Sequence, residues 1–462
     1  MLVAVSLGLA SCGPFPNGSS GEPPNVLLVV VDTLRADALL KTREGVAVMP
    51  RVATLAAQSV FYPNAVSPSS WTRPAMASVL TSLDVAVHGV YFSVRKDGDH
   101  ETTDVLPASL DTLATLLKDR GYRTFAVQTN GNLTDEMGFA RGFSAYRFYL
   151  DAPATPITDA ALEELAAAKS PFFAYVHYID PHAPYAPPGR FRDLFGKRPA
   201  LSEADEKALA DSMDYLKDRL YSAFGVQDKR EFAAISPEGK EEMKVRYDAE
   251  CRYVDEEIGR LLDYVDRNFP NTLIVFLSDH GEEFWEHGSM GHGTSLHGEQ
   301  VDVPLIIHGP GLAPVTVPDR VSTLDVLPTV FGRLGLPPNP QWQGRDLFAP
   351  GRALSKEDLF AATRGADARL KIDAEMVSAG KWKLIRDANT GNEQLFDTDA
   401  DRDEQHDRAA DDANVARELA QTLESRQKVD REHPLKSRAN AAPLDAESLE
   451  KIKAIGYGAN IK

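Results

Sequence analysis

The sequence predicts a doubly wound α/β fold, with a mostly parallel sheet flanked by helices and a small α+β subdomain at its C-terminal end. Three observations predict it. The first is the unbroken apolar run Val26–Val31, ending at Asp32, which is the composition a central strand needs when both faces are covered. The second is alternation. Further apolar strands are expected at 122–128, 172–179, 272–279 and 303–308, with helical patterns at 50–60, 107–120, 158–168 and 247–268 between them, the order of a parallel sheet with crossover helices. The third is that Asp32, the segment His177 to His182, and Asp279-His280 all fall at strand ends, where sheets of this kind carry their chemistry.

Taken in order, residues 1–11 read as a lipoprotein signal peptide and 12–24 as a flexible tether. Leu9-Ala10-Ser11-Cys12 resembles a lipobox, with Cys12 the lipidated residue, and the Gly/Pro/Ser-rich stretch after it suits an anchored chain. Gly13 beside that cysteine points to the outer membrane or periplasmic face of a bacterial envelope. Residues 25–350 form the main domain, with a charged helical insertion at 189–246, and 351–462 the C-terminal subdomain and tail. In that last part, Lys381–Ile385 and Glu393–Asp397 read as short antiparallel strands and 414–427 as an amphipathic helix. Cys251 is the only other cysteine, so disulfides do not hold the fold, and it is expected in the core. The net charge of −18 argues against a nucleic-acid partner. No stretch is long and apolar enough to span a bilayer, so membrane association is expected through the lipid alone.

Four segments carry chemistry. Asp279-His280 with Gly281 delivers a carboxylate and an imidazole to one point, and Asp32 ends another strand; together they make three quarters of a zinc or manganese site. Thr72 stands at the start of a helix that Pro74 favours. Its hydroxyl suits two roles equally: a cap for the backbone N–H groups, or a nucleophile beside a metal. His177, Asp180 and His182 leave a strand into a Pro-rich loop. Finally, His280, His287, His292 and His297, four of eleven histidines, crowd into eighteen residues of glycine-rich chain.

With these residues in view, the chain resembles the sulfatase family of the alkaline phosphatase superfamily along nearly its full length. Ordered landmarks carry the resemblance: Val31–Asp37, Thr72–Thr81, Asp180–Tyr185, Ser278–Glu282, His292–Thr294 leading to Val303–Ile306, Gln343–Leu347, Lys381–Ile385, Leu395–Asp397 and Ile455–Tyr457. It implies Asp32, Thr72, Asp279 and His280 as ligands of at least one divalent metal, zinc or manganese before calcium or magnesium. It implies Thr72 as nucleophile, and His182 and His292 as groups that contact the transferred group or protonate the leaving oxygen. Arg35, Arg73 and His177 are candidate substrate contacts; for the arginines a salt bridge is an equal alternative. Two departures matter. Threonine stands where the family's sulfatases carry the cysteine or serine that becomes formylglycine, and Met76 stands where they carry an arginine. The resemblance therefore implies a hydrolase of phosphate, phosphonate or sulfate esters, on a small-molecule, glycan or lipid-linked anionic substrate. Alternatives are a formylglycine-independent sulfuric ester hydrolase, a phospho-headgroup transferase, and a non-catalytic anchored binding protein.

Overall fold

A computed structural model describes residues 23–97, 100–196, 201–207, 235–351, 357–365, 371–437, 440–443 and 447. The expected signal peptide, most of the tether with Cys12, much of the 189–246 insertion and the Ile455–Tyr457 tail lie outside them. Eight strands form the main sheet: β1 (Asn25–Val31), β2 (Val60–Val66), β3 (Arg123–Gln128), β4 (Ala145–Phe148), β5 (Phe172–Tyr178), β6 (Thr272–Ser278), β7 (Asp302–His308) and β8 (Val315–Thr316). Their order is β8-β2-β7-β6-β1-β5-β3-β4. Only β7 runs against its neighbours; every other pair is parallel.

From Val26 onward β1 is apolar because each of its faces is buried in a different core. Successive side chains of a strand point to opposite faces. Leu27, Val29 and Val31 therefore pack with helices α1 (Pro50–Ala57), α4 (Ala154–Ala166) and α5 (Pro237–Asn268). Val26, Leu28 and Val30 pack on the other side with α2 (Thr72–Thr81), α3 (Leu113–Lys118) and α6 (Val326–Arg333). Burying one such side chain fully stabilises by roughly 1.5–3 kcal/mol, so neither face of β1 tolerates a polar residue until Asp32 leaves the sheet. Cys251 is a buried free thiol of α5.

The C-terminal subdomain is a four-stranded antiparallel sheet, β9 (Leu359–Thr363), β10 (Ala374–Ala379), β11 (Trp382–Asp387) and β12 (Glu393–Asp397), in that order. Helix α7 (Ala413–Glu432) covers one face through Ala416, Leu419 and Leu423. Met376, Ile385 and Phe396 on the other face meet Val66, Leu296 and Val301, next to the carboxyl edge of the main sheet.

Several boundaries differ from the sequence reading. The expected helix 50–60 stops at Ala57, because Val60 begins β2; Pro63 and Asn64 mask that strand's pattern. Thr112 caps a shorter helix than 107–120 suggested, accepting from Thr115 N. Helix α5 starts ten residues before Tyr247, where the Ser236 side chain accepts from Gly239 N and Pro237 occupies the first turn. The end of the expected insertion thus runs straight into a core helix. The antiparallel strands Arg95–Asp97, His100–Val105 and Asn440–Pro443 have no counterpart in the sequence reading.

Candidate active site

The parallel strands bring their carboxyl ends to one edge, and the chemistry gathers there. β1 ends at Asp32, β6 at Asp279-His280, and β5 carries His177 in register with Val30. Helix α2 begins at Thr72, with Trp71 in the capping position and no side-chain cap bond. The capping role open to Thr72 on sequence grounds is therefore not the one it plays. Its Oγ1 lies 3.2 Å from His280 Nε2 and 3.5 Å from Asp32 Oδ2. Asp32 Oδ2 also lies 3.3 Å from His177 Nε2, whose other nitrogen meets the Tyr175 hydroxyl at 2.6 Å.

The backbone just after Asp32 is strained. Thr33 sits at φ 54°, a region that β-branched residues avoid. It is held there by its N–H donating to Asp279 Oδ1 and by its carbonyl accepting from the Tyr247 hydroxyl. This turn draws the Asp279 carboxylate toward Asp32. Gly281 is required on the other side, since a Cβ there would stand 2.1 Å from the Glu299 carbonyl oxygen.

Asp32 Oδ1 and Asp279 Oδ2 are buried and accept no hydrogen bond; each lies 3.5 Å from His280 Nε2. Burial raises the Asp32 carboxyl, but the His177 hydrogen bond and the neighbouring imidazoles outweigh it and hold the group low. Burial and the Asp32 charge push Asp279 well above the usual carboxylate range. Two carboxylates split in this way compete for one proton. Burial and the neighbouring His292 keep His280 far below its ordinary value, hence neutral. Asp32, Asp279 and His177 also offer ligand atoms within 4.8 Å of one another. Two orphaned carboxylate oxygens facing a neutral imidazole and a hydroxyl fit a divalent cation.

His280, His292 and His182 form a row, with ring centroids 4.4 Å apart for the first pair and 5.0 Å for the second. His292 Nδ1 is 3.1 Å from Glu282 Oε1. Burial lowers His292, yet the Glu282 charge and hydrogen bond prevail and raise it. His182 Nδ1 donates to the Ala183 carbonyl at 2.7 Å.

The two arginines are not placed as oxyanion clamps. Arg35 pairs with Asp37 at 2.9 Å and Glu286 at 2.8 Å, and donates to the Glu282 carbonyl. Arg73 is fully buried and donates to the carbonyls of Asn132, Phe92 and Asp104. A guanidinium one residue from the nucleophile position cannot turn outward from such a nest without leaving buried acceptors bare. His177, expected at the substrate, sits against Asp32. Sequence reasoning missed Asn130, whose Nδ2 donates to Asp32 Oδ2 at 2.6 Å and to Thr72 Oγ1 at 3.3 Å. The signal was present: Asn130 follows the recognised strand 122–128, at the same edge as Asp32.

His287, His297 and Glu299 make a second cluster that could hold a cation by distance. Its geometry refuses one. The two imidazoles stack 3.7 Å apart with 12° between their planes, and parallel rings share no point in both planes where a lone pair of each could meet an ion. Both His287 nitrogens also face acceptors, Glu299 Oε1 at 2.7 Å and the Glu404 carbonyl at 3.0 Å. This cluster ties the chain after Glu286 to the C-terminal subdomain.

A family model described as Sulfatase matches residues 24–336. The choline-sulfatase of Rhizobium meliloti (strain 1021) is 28% identical over 239 residues, 51% of this chain and 45% of that protein. Human iduronate 2-sulfatase is 24% identical over 369 residues, 67% of this chain and 64% of that protein. The chain thus spans about half to two thirds of the length of these relatives. Among solved structures, one in complex with its substrate D-glucosamine-2-N,6-O-disulfate superposes with a TM-score of 0.69 at 19% identity, covering 90% of this chain and all of that one. The phosphonate monoester hydrolase of Agrobacterium radiobacter superposes at 0.68 with 20% identity, covering 91% and 100%. Both likenesses establish the fold.

Proposed function

The chain belongs to the sulfatase family, and on that premise we propose that it is a metal-dependent ester hydrolase in which Thr72 is the nucleophile and a phosphorus ester the substrate. The observation that carries the reading is the setting of the Thr72 hydroxyl. It caps nothing, and it stands beside His280 and a pair of carboxylates whose inner oxygens are unpartnered.

Asp32, Asp279, His280 and Thr72 would hold the cation, with His177 behind Asp32. When bound, it would make the Thr72 hydroxyl acidic and neutralise charge on the reacting ester. The protein's own part is then as follows. Asp32 Oδ2 accepts the Thr72 proton, Oγ1 forms a bond to phosphorus, and the bond from phosphorus to the leaving oxygen breaks. His292, whose hold on a proton Glu282 strengthens, delivers that proton to the leaving oxygen, with His182 beside it. His292, having given up its proton, takes one from a water that attacks phosphorus, the bond from phosphorus to Oγ1 breaks, and Thr72 recovers its proton from Asp32.

Two arguments favour a monoanionic phosphorus ester, a phosphodiester or phosphonate monoester. No lysine or arginine is among the hydrogen-bond partners of Thr72, Asp32 or Asp279 in the described residues, so no such side chain is held directly against the nucleophile or these ligands. A threonine ester also lacks the second hydroxyl through which a formylglycine hydrate expels its group, and must be resolved by attack at the central atom. Sulfate remains the second reading, because the curated relatives are named sulfatases.

The test is metal reconstitution of the purified chain with Mn²⁺, Zn²⁺ or Ca²⁺ against aryl sulfate, aryl phosphate, aryl phosphodiester and aryl phosphonate, beside Thr72→Ala. Turnover of a phosphorus ester that vanishes in the variant supports the reading. Thr72-dependent sulfate turnover replaces phosphorus by sulfur. Inertness toward all four favours the transferase or binding-protein alternatives. We infer the lipid anchor at Cys12 from sequence alone; labelled fatty acid that fails to enter the Cys12→Ser chain is the expected result.

A further inference from the structure

We propose that Asn130 is a positioning residue for Thr72 and Asp32, and that the buried Arg73 sets Asn130 in place through Asn132. The inference rests on reading Thr72 as the nucleophile.

The Asn130 carboxamide has one orientation open to it. Nδ2 donates to Asp32 Oδ2 and to Thr72 Oγ1, while Oδ1 accepts from Asn132 N at 2.8 Å. Turning the amide over would set its N–H₂ against the Asn132 N–H and its oxygen against a carboxylate. The Asn130 N–H is itself held by Gln128 Oε1 at 2.7 Å, and Gln128 Nε2 returns to the Leu133 carbonyl. Asn130 also caps the single 3-10 turn Gly131–Leu133.

Arg73 holds the other end of this turn. Its Nε donates to the Asn132 carbonyl at 3.1 Å and its Nη2 to Asn132 Oδ1 at 2.9 Å, a two-point grip that the planar fork of arginine provides and lysine cannot. A fully buried guanidinium is costly to desolvate. Here it connects the residue following the nucleophile to the residue two places beyond Asn130.

The consequence is a choice of oxygen. With Asn130 and His177 both on Asp32 Oδ2, only Oδ1 is left bare toward His280. The donor to Thr72 Oγ1 occupies one lone pair, so the hydroxyl hydrogen must point elsewhere, and the acceptors within reach are His280 Nε2 at 3.2 Å and Asp32 Oδ2 at 3.5 Å. Asn130 is not a proton carrier; it orients the Thr72 hydroxyl by taking one lone pair and fixes which Asp32 oxygen stays free.

The experiment compares Asn130→Ala, Arg73→Lys and the double variant with the unaltered chain. It reads kcat and KM on whichever aryl ester that chain turns over, and Mn²⁺ affinity by calorimetry without ester. Asn130→Ala is expected to lower kcat about 10- to 100-fold with KM within about threefold, and to weaken Mn²⁺ about tenfold, the range for partners of metal ligands. Arg73→Lys is expected to lower kcat about tenfold alone and to add nothing in the Asn130→Ala background, because its effect passes through Asn130. Asn130→Asp, close to isosteric, covers the event that the alanine variant does not fold, and should lose as much kcat. Unchanged kcat and Mn²⁺ affinity in the Asn130 variants, or losses that multiply in the double variant, would overturn the relay. If the unaltered chain is inert toward every ester, the reading of the site fails, and the Mn²⁺ measurements still decide this inference.

Discussion

At the scale of single residues, the same side chain changes meaning with what faces it. Thr72 opens a helix, where the sequence left a capping role open to it, yet its hydroxyl meets His280, Asn130 and Asp32. Thr72→Ala should therefore cost at least about 10³-fold in turnover while leaving the thermal midpoint within a few degrees, since no helix cap is lost. His292 and His280, with rings only 4.4 Å apart, titrate in opposite directions because one has Glu282 as a partner and the other does not. If His292 is the acid, His292→Gln should depress turnover of an alkyl ester by about 10²- to 10⁴-fold. It should depress turnover of a nitrophenyl ester much less, because nitrophenolate leaves without a proton. Equal losses on both would assign His292 another role.

Elements decide whether those residues meet. The turn after β6 closes only because Gly281 lets the Glu299 carbonyl approach. Gly281→Ala must move that backbone, and with it His280. Weaker Mn²⁺ binding than in the unaltered chain, with Thr72 untouched, is the expected calorimetric result. The chain between Glu286 and Gly298, which carries His292, is anchored by His287. Burial works against the charge of this imidazole, but the Glu299 hydrogen bond and charge outweigh it and raise the group to about 9. A raised value means stability that is fully present below the ordinary 6.5 and lost as pH rises through about 9. Solvent reaching the ring's exposed edge screens part of the shift, so His287→Gln should cost only about 1–2 kcal/mol near pH 6. That deficit should fade above pH 9; urea unfolding at the two pH values reads it.

For the molecule as a whole, the C-terminal subdomain acts as a buttress to the site's edge. Glu404 accepts from Gly298 N through Oε2, its carbonyl faces His287, and its Oε1 pairs with the fully buried Lys383 at 2.7 Å. Removing one partner of a buried pair strands the other's charge, a loss of about 3–5 kcal/mol. Lys383→Met is thus expected to lower the unfolding free energy by about that amount, whereas Lys383→Met combined with Glu404→Gln should recover part of it. If the double variant is no better than the single, the pair is not what holds this interface.

The sequence by itself determined the five inner strands it could mark by apolar runs, and the candidate ligands at their ends. β1, β5 and β6 are buried on both faces, so their apolar runs are continuous, and a polar residue ending such a run marks a strand's carboxyl end whatever surrounds it. Asp32, Asp279 and His280 were legible for that reason, and Thr72 because Pro74 marks a helix start. Only the tertiary structure decided what the arginines do and that Asn130 belongs to the site. Asn130 and Arg73 lie 57 positions apart in the sequence, and an asparagine after a strand is also an ordinary turn residue. A guanidinium chooses between carboxylate, carbonyl and substrate by distance alone, and distance across the fold is set by how the helices pack on the sheet, which periodicity does not encode.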